Sequence, residues 1–150
     1  IAVYGKIRTS ESCPQDGLMQ SLEVAINDVM RVIAGKSRRD RVSITEFRSE
    51  TKMPSANQLT IQAVLNEAWK IQHGLSDSIK DLMSPIEERN IITRAAAQGH
   101  VRVPAGKCST TSFSHQAAKL WNDAPANIRD EVKHSSAKKR IRDFTMKMFP

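Results

Sequence analysis

The sequence predicts an all-α fold, an irregular helical bundle of about six helices with an extended linker before the C-terminal helices. Three observations carry this expectation. Apolar residues recur at steps of three and four along most of the chain, as one face of a 3.6-residue helix requires. Three serines stand three positions ahead of a glutamate or glutamine, the spacing of a capping box: Ser43 and Glu46, Ser55 and Gln58, Ser84 and Glu87. Glycines at 35, 74 and 99 follow the expected helix ends, where a left-handed residue closes a helix at little steric cost.

Residues 1–8, IAVYGKIR, open the chain inside an apolar stretch and are compatible with a short helix or a strand; we read the chain as a piece of a longer polypeptide. Residues 9–17 are turn chemistry, with Ser10, Ser12, Pro14 and Gly17. A long amphipathic helix follows. Leu18, Leu22, Ala25, Ile26, Val29 and Ile33 are expected on its buried face, and Gln20, Glu23, Asn27 and Arg31 on the opposite one. After Gly35 comes a basic turn holding Lys36, Arg38, Arg39 and Arg41, offset only by Asp40. Such a turn either complements the helix dipole in water or contacts phosphates, and both accounts stay open.

Ser43 should cap a helix running to Lys52, ended by Pro54, and Ser55 should start the next. That helix carries Ile61, Val64, Leu65, Ala68 and Ile71 on one face, with Trp69 at its edge and expected inside. A fourth helix is expected from Ser84, with Pro85 at its first position, through Ile91 and Ile92 to Gly99. Residues 100–111 read as an extended linker, since Val101 and Val103 alternate with Arg102 and small polar residues follow. Phe113, Ala117, Leu120 and Trp121 mark another helix, broken over residues 122–125. Ser136 should cap the last one, with Ala137, Ile141, Phe144 and Met148 inside and Lys138, Lys139, Arg140, Arg142 and Lys147 outside. The expected organisation is therefore a helical region over 1–99 with its basic turn at 36–41, the linker at 100–111, and a helical tail over 112–150 packing on the first region.

A chain of 150 residues suits one domain, which can bury about 68–70% of its unfolded surface. The formal net charge of +7 favours an anionic partner, nucleic acid first and an anionic membrane surface second. The two cysteines, Cys13 and Cys108, form no CxxC pair, so neither a disulfide framework nor a cysteine-rich zinc site is expected. There is no apolar run of 18 residues and no signal-peptide pattern, which points to an intracellular protein of the nucleus or cytoplasm rather than a membrane protein.

Catalytic chemistry is not expected. No GxxxxGK[ST], GxGxxG or GxSxG loop is present, so nucleotide and serine hydrolysis lack their machinery. Glu87 and Glu88 fall where a helix dipole would explain them, and no adjacent aspartate pair exists to hold two metal ions. Cys108, His115 and His100 could be imagined as zinc ligands, but finger-type spacings are absent, and solvated or capping histidines are the better account. We expect no cofactor, no metal and no small-molecule substrate. What survives is two groups of cations: Lys36, Arg38, Arg39 and Arg41 in the turn, and Lys138, Lys139, Arg140 and Arg142, with Lys133 just before them, near the last helix. Converging on one face, they would neutralise several phosphates and give salt-dependent, mostly sequence-blind binding. Diverging, they would be ordinary solubilising charge. Aromatic content of 5%, with Trp121 and Phe144 on apolar faces, speaks against base stacking and for contact with backbone phosphates.

Residues 25–41, AINDVMRVIAGKSRRDR, resemble the QNxAMRxIxGxxRRD region downstream of the polymerase core in LINE-type, non-LTR retrotransposon reverse transcriptases of the Jockey-like kind. The resemblance continues through 59–70, LTIQAVLNEAWK, and 93–99, TRAAAQG, and ends with 112–129, SFSHQAAKLWNDAPANIR, ahead of the basic helix. It covers nearly the whole chain. It implies a parent protein that copies element RNA into DNA at a nicked target, with endonuclease and fingers-palm-thumb polymerase upstream. The aspartate-pair motif of that polymerase and the zinc-knuckle cysteines of some such elements have no matching positions here. What carries over is a non-catalytic helical region, docked against the thumb of the same polypeptide, that would hold template RNA or target DNA through its basic residues. Two other functions stay open: a helical scaffold that only packs on the polymerase or a protein partner, and a stand-alone helix-turn-helix DNA reader, which needs two helices meeting across a turn of three or four residues.

Overall fold

The computed structural model describes residues 15–86, 98–105 and 112–148. The fold is all-α. Its helices are α1 (Gln15–Ile33), α2 (Ile44–Thr51), α3 (Ala56–Gln72), a 3-10 helix (Asp77–Leu82), α4 (Phe113–Asp123), α5 (Ala126–Arg129) and α6 (His134–Met148). Among the described residues there is no strand, only an isolated bridge between Pro85 and Val101. The expected helix beyond Glu87, the second half of the 100–111 linker, the opening segment and Cys108 lie outside the described residues. Two compact units, Ile1–Leu59 and Thr60–Pro150, meet at a boundary inside α3.

In the first unit, α1 ends as expected. Gly35 adopts φ +63°, the Lys36 N–H donates to the Arg31 carbonyl at 2.8 Å, and the Gly35 N–H donates to Val32 at 3.2 Å. These two bonds are a Schellman closure, and Gly74 repeats it at the end of α3 with Leu75 on Lys70 and Gly74 on Ile71. The core of the unit gathers Ile26, Met30, Phe47 and Ala56, with Met19, Ile44, Met53 and Leu59 against it.

This corrects the expected buried face of α1. Of its six residues only Ile26 is buried, whereas Leu18 is 72%, Leu22 41%, Val29 47% and Ile33 63% exposed, and Ala25 is exposed too. The docked face runs through Met19, Ile26 and Met30, rotated from the expected one by about 70° at 3.6 residues per turn. Polar bonds on that side select it. Glu23, placed on the wet face by periodicity, forms an ion pair with Arg48 and accepts the Ala56 N–H at 2.8 Å, which would otherwise be an unpaired donor at the start of α3.

The predicted caps divide. At α3 the capping box forms in full: Ser55 Oγ accepts from the Gln58 N–H at 3.2 Å and Gln58 Oε1 accepts from the Ser55 N–H at 2.7 Å. At α2, Ser43 precedes the helix in extended geometry but its side chain makes no cap bond. Ser84 and Pro85 start no helix at that point; Pro85 bridges to Val101, and the Arg102 N–H donates to the Ser84 carbonyl at 3.0 Å.

The second unit is built on α3, whose expected face is buried at Ile61, Leu65, Ala68 and Ile71. One cluster joins Ala68, Trp69, Ile71, Met83, Val101, Ala117, Ala118, Trp121 and Ala137; another joins Ile61, Leu65, Ala124, Ile128 and Ile141, with Leu120 and Phe144 against it. Both tryptophans are interior and both indoles find acceptors: Trp69 on the Glu131 carbonyl and Trp121 on the Gly99 carbonyl, each at 3.0 Å. Ser112 caps α4 by accepting from the His115 N–H. The last helix begins at His134, two residues before the expected cap at Ser136, and Met148 is 39% exposed while Thr145 is fully buried. Thr145 can sit there because its hydroxyl donates to the Arg142 carbonyl and accepts from Gln62 on α3 at 2.8 Å.

Candidate nucleic-acid interface

All eight expected cationic residues are exposed, but they divide by what already holds them. In the first unit, the turn after α1 is tied by its own polar groups. The Ser37 N–H donates to Asp40 Oδ2 at 2.6 Å, and Arg31 Nη1 donates from α1 to the carbonyls of Ser37 and Asp40 at 2.8 and 3.2 Å. Asp40, the one acid within the basic turn, thus has its carboxylate engaged by the Ser37 N–H. Arg38 turns back to α1 and forms an ion pair with Asp28, with Nε donating to Oδ1 at 3.1 Å. The Asp28 hydrogen bond and its charge raise the Arg38 pKa above the usual arginine value. Among the described residues no carboxylate pairs with Lys36, Arg39 or Arg41. Lys36 and Arg41 line a shallow depression with Ser43 and Phe47, in which Glu46 and Glu50 supply the opposite charge. Arg39 lies outside that lining.

In the second unit the same division recurs on α6. Arg140 forms an ion pair with Glu131 at 2.9 Å and donates to the Asn127 carbonyl, which fastens α6 to α5 and the segment that follows it. Glu131 is engaged further: its Oε1 accepts the Lys133 N–H at 3.2 Å. Lys138, Lys139 and Arg142 have no carboxylate partner among the described residues. Successive residues of a helix turn by about 100°, so Lys138 and Arg142 lie about 40° apart with Lys139 about 60° beyond Arg142. Together they form one outward sector. The buried side of the helix is Ala137, Ile141 and Thr145.

Among the described residues six of the eight thus have no carboxylate partner, while Arg38 ties the turn to Asp28 on α1 and Arg140 ties α6 to Glu131 and Asn127. No signal in the sequence marks those two, since their partners lie ten and nine residues away across turns. The surface that periodicity missed is apolar. Leu18, Leu22, Val29, Val32 and Ile33 line the outside of α1, and the charged residues between Gly17 and Ile33, namely Glu23, Asp28 and Arg31, all bond within the unit. Met19, Val24, Met30 and Val32 off the predicted stripe were the available signal, because a helix apolar on most sides has no unique docking face.

Three of the described histidines have local roles. His115 Nδ1 bonds the Pro104 carbonyl at 3.1 Å, and His73 and His134 stack on Trp69. No group of three potential metal ligands occurs among the described residues. Also among them, no helix is long and apolar enough to cross a membrane. Comparison with protein-family models, curated proteins and solved structures yields no match to this chain.

Proposed function

We propose that the chain is a non-catalytic helical region of a LINE-type retrotransposon RNA-directed DNA polymerase, inside the cell in nucleus or cytoplasm, and that it holds nucleic-acid phosphates through Lys36, Arg39, Arg41, Lys138, Lys139 and Arg142. One observation carries the binding half of this reading. On α6, Lys138 and Arg142 face the same side one turn apart, with Lys139 beside them, all exposed and without a carboxylate partner among the described residues. Like charges at this spacing repel, and the first turn of α6 carries no acid to complement the helix dipole. Local helix stability does not account for such a face; an anionic polymer laid along it does. The polymerase assignment rests on the resemblance alone.

The test is affinity of the chain for duplex DNA, single-stranded RNA and an RNA–DNA heteroduplex across a salt series. Binding should weaken log-linearly with salt, with a slope of about −0.7 to −0.9 per phosphate contacted. Affinity that is flat in salt would overturn the reading.

A second reading is favoured by α1. Its outer stripe of Leu18, Leu22, Val29, Val32 and Ile33 suits a scaffold whose work is to pack on another protein surface, such as the upstream polymerase region. The two readings use different faces and can both hold.

A further inference from the structure

We infer that the nucleic acid taken by the α6 face is a B-form DNA duplex rather than a single strand or an RNA duplex. The inference rests on the phosphate-binding reading above and adds the shape of its ligand. Sequence-tolerant single-stranded binding draws most of its affinity beyond charge from aromatic side chains on which successive bases stack. Among the described residues every aromatic ring is engaged inside. Trp69, Trp121 and Phe47 are buried, and Phe113 and Phe144 pack against the two core clusters of the second unit. Beside Lys138, Lys139 and Arg142 the exposed neighbours on α6 are Ser135 and Asp143, neither of which can stack on a base. With Asp143 as the one acid at its edge, the sector offers positive charge and a hydroxyl, which suit phosphates held at regular spacing.

Helix geometry separates the two kinds of duplex. An α-helix with its side chains is about 10–12 Å across, and the B-form major groove, about 12 Å wide, admits one. The A-form major groove is too deep and narrow for side chains to enter, and its wide minor groove is read through 2′-hydroxyls. With Ile141, Ala137 and Thr145 buried on one side, α6 presents its cationic sector outward as a rod that a B-form groove or its flanking phosphates can accept. The turn before it, residues 130–133, is four residues long and joins α5 to α6, so the two elements meet at the spacing of a helix-turn-helix, although α5 is only one turn.

Fluorescence anisotropy with the full chain tests this, using a mixed-sequence 20-bp DNA duplex, one of its strands alone, and the RNA duplex of the same sequence at one salt concentration. The DNA duplex should bind about tenfold tighter than either of the others: than the single strand because stacking contributes nothing, and than the RNA duplex because its major groove is closed to side chains. A Lys138→Gln, Arg142→Gln double variant should lower duplex affinity and reduce the salt slope by about two. Lys119→Gln, another exposed lysine, is the control, and thermal unfolding reports that each variant is folded. Single-strand or RNA-duplex binding as tight as the DNA duplex overturns the inference and leaves the phosphate reading standing. Absence of salt-dependent binding to all three probes overturns both.

Discussion

Asn122 clasps the backbone of Val101 on both its polar groups. Its Oδ1 accepts the Val101 N–H at 2.8 Å and its Nδ2 donates to the Val101 carbonyl at 2.9 Å, as a neighbouring strand would. Val101 is 2% exposed, so water cannot replace these bonds. The adjacent Trp121 donates its indole N–H to Gly99, and Arg129 Nη1 reaches back to the Asn122 carbonyl at 3.1 Å. The Trp-Asn pair that contributes to the family resemblance therefore has a physical use in this chain: it anchors the segment 98–105 to the end of α4. Asn122→Ala leaves a buried donor and acceptor unpaired, and should lower unfolding stability by about 2–4 kcal/mol. Asn122→Asp keeps the acceptor but turns a carboxylate toward the Val101 carbonyl, and should cost at least as much. Urea denaturation reads both; a loss below about 0.5 kcal/mol for the alanine variant would remove the clasp from the account.

The two capping boxes make a matched pair for mutation. Ser55→Ala removes a bond that the Gln58 amide uses, and should cost about 1 kcal/mol. Ser43→Ala removes a hydroxyl that makes no cap bond, and should change stability by no more than about 0.5 kcal/mol. Equal losses would mean that the Ser43 hydroxyl caps α2 in solution. The sequence spacing was the same in both. Its outcome differs because Gln58 is nearly buried at the start of α3, whereas Glu46 is exposed beside a depression lined by Lys36 and Arg41.

The two sides of α1 should respond oppositely to substitution. Met30 is fully buried, and Met30→Ala should cost about 2–5 kcal/mol. Val32, 78% exposed, should accept Val32→Gln with a change within about 0.5 kcal/mol. Thermal or urea unfolding of the pair tests the docked face, and a larger loss at Val32 than at Met30 would mean that α1 docks by its outer side instead. The face predicted from periodicity failed for a definite reason. Six apolar residues at steps of three and four specify that a helix forms, which it does, but Met19, Ile26 and Met30 offer an equally good stripe. The choice between them was made by Glu23, through Arg48 and the amide of Ala56, thirty-three residues away. The candidate cationic surface was legible to a similar depth: long charged side chains reach solvent in almost any fold, so their exposure followed from composition. Which of them are tied, as Arg38 is to Asp28 and Arg140 to Glu131, depended on how two turns fold, and no spacing encodes that.

His134 places a ring on Trp69, with centroids 5.2 Å apart, and leaves its Nε2 buried without a hydrogen-bond partner. Which ring nitrogen carries the proton does not alter this, because a buried donor and a buried acceptor both lose their hydration. The ring is therefore useful as a flat surface and unfavourable as a polar group. His134→Phe keeps a ring against Trp69, removes the unpaired nitrogen, and changes helix propensity little at the start of α6. It should leave stability unchanged or raise it by up to about 1 kcal/mol. His134→Ala loses the ring as well, and should lower stability by about 1 kcal/mol, near the size of an aromatic pair interaction. The informative quantity is the difference between the two variants in urea denaturation. If phenylalanine costs as much as alanine, Nε2 must be bonded in solution, and the stacking contact with Trp69 would not be what His134 contributes.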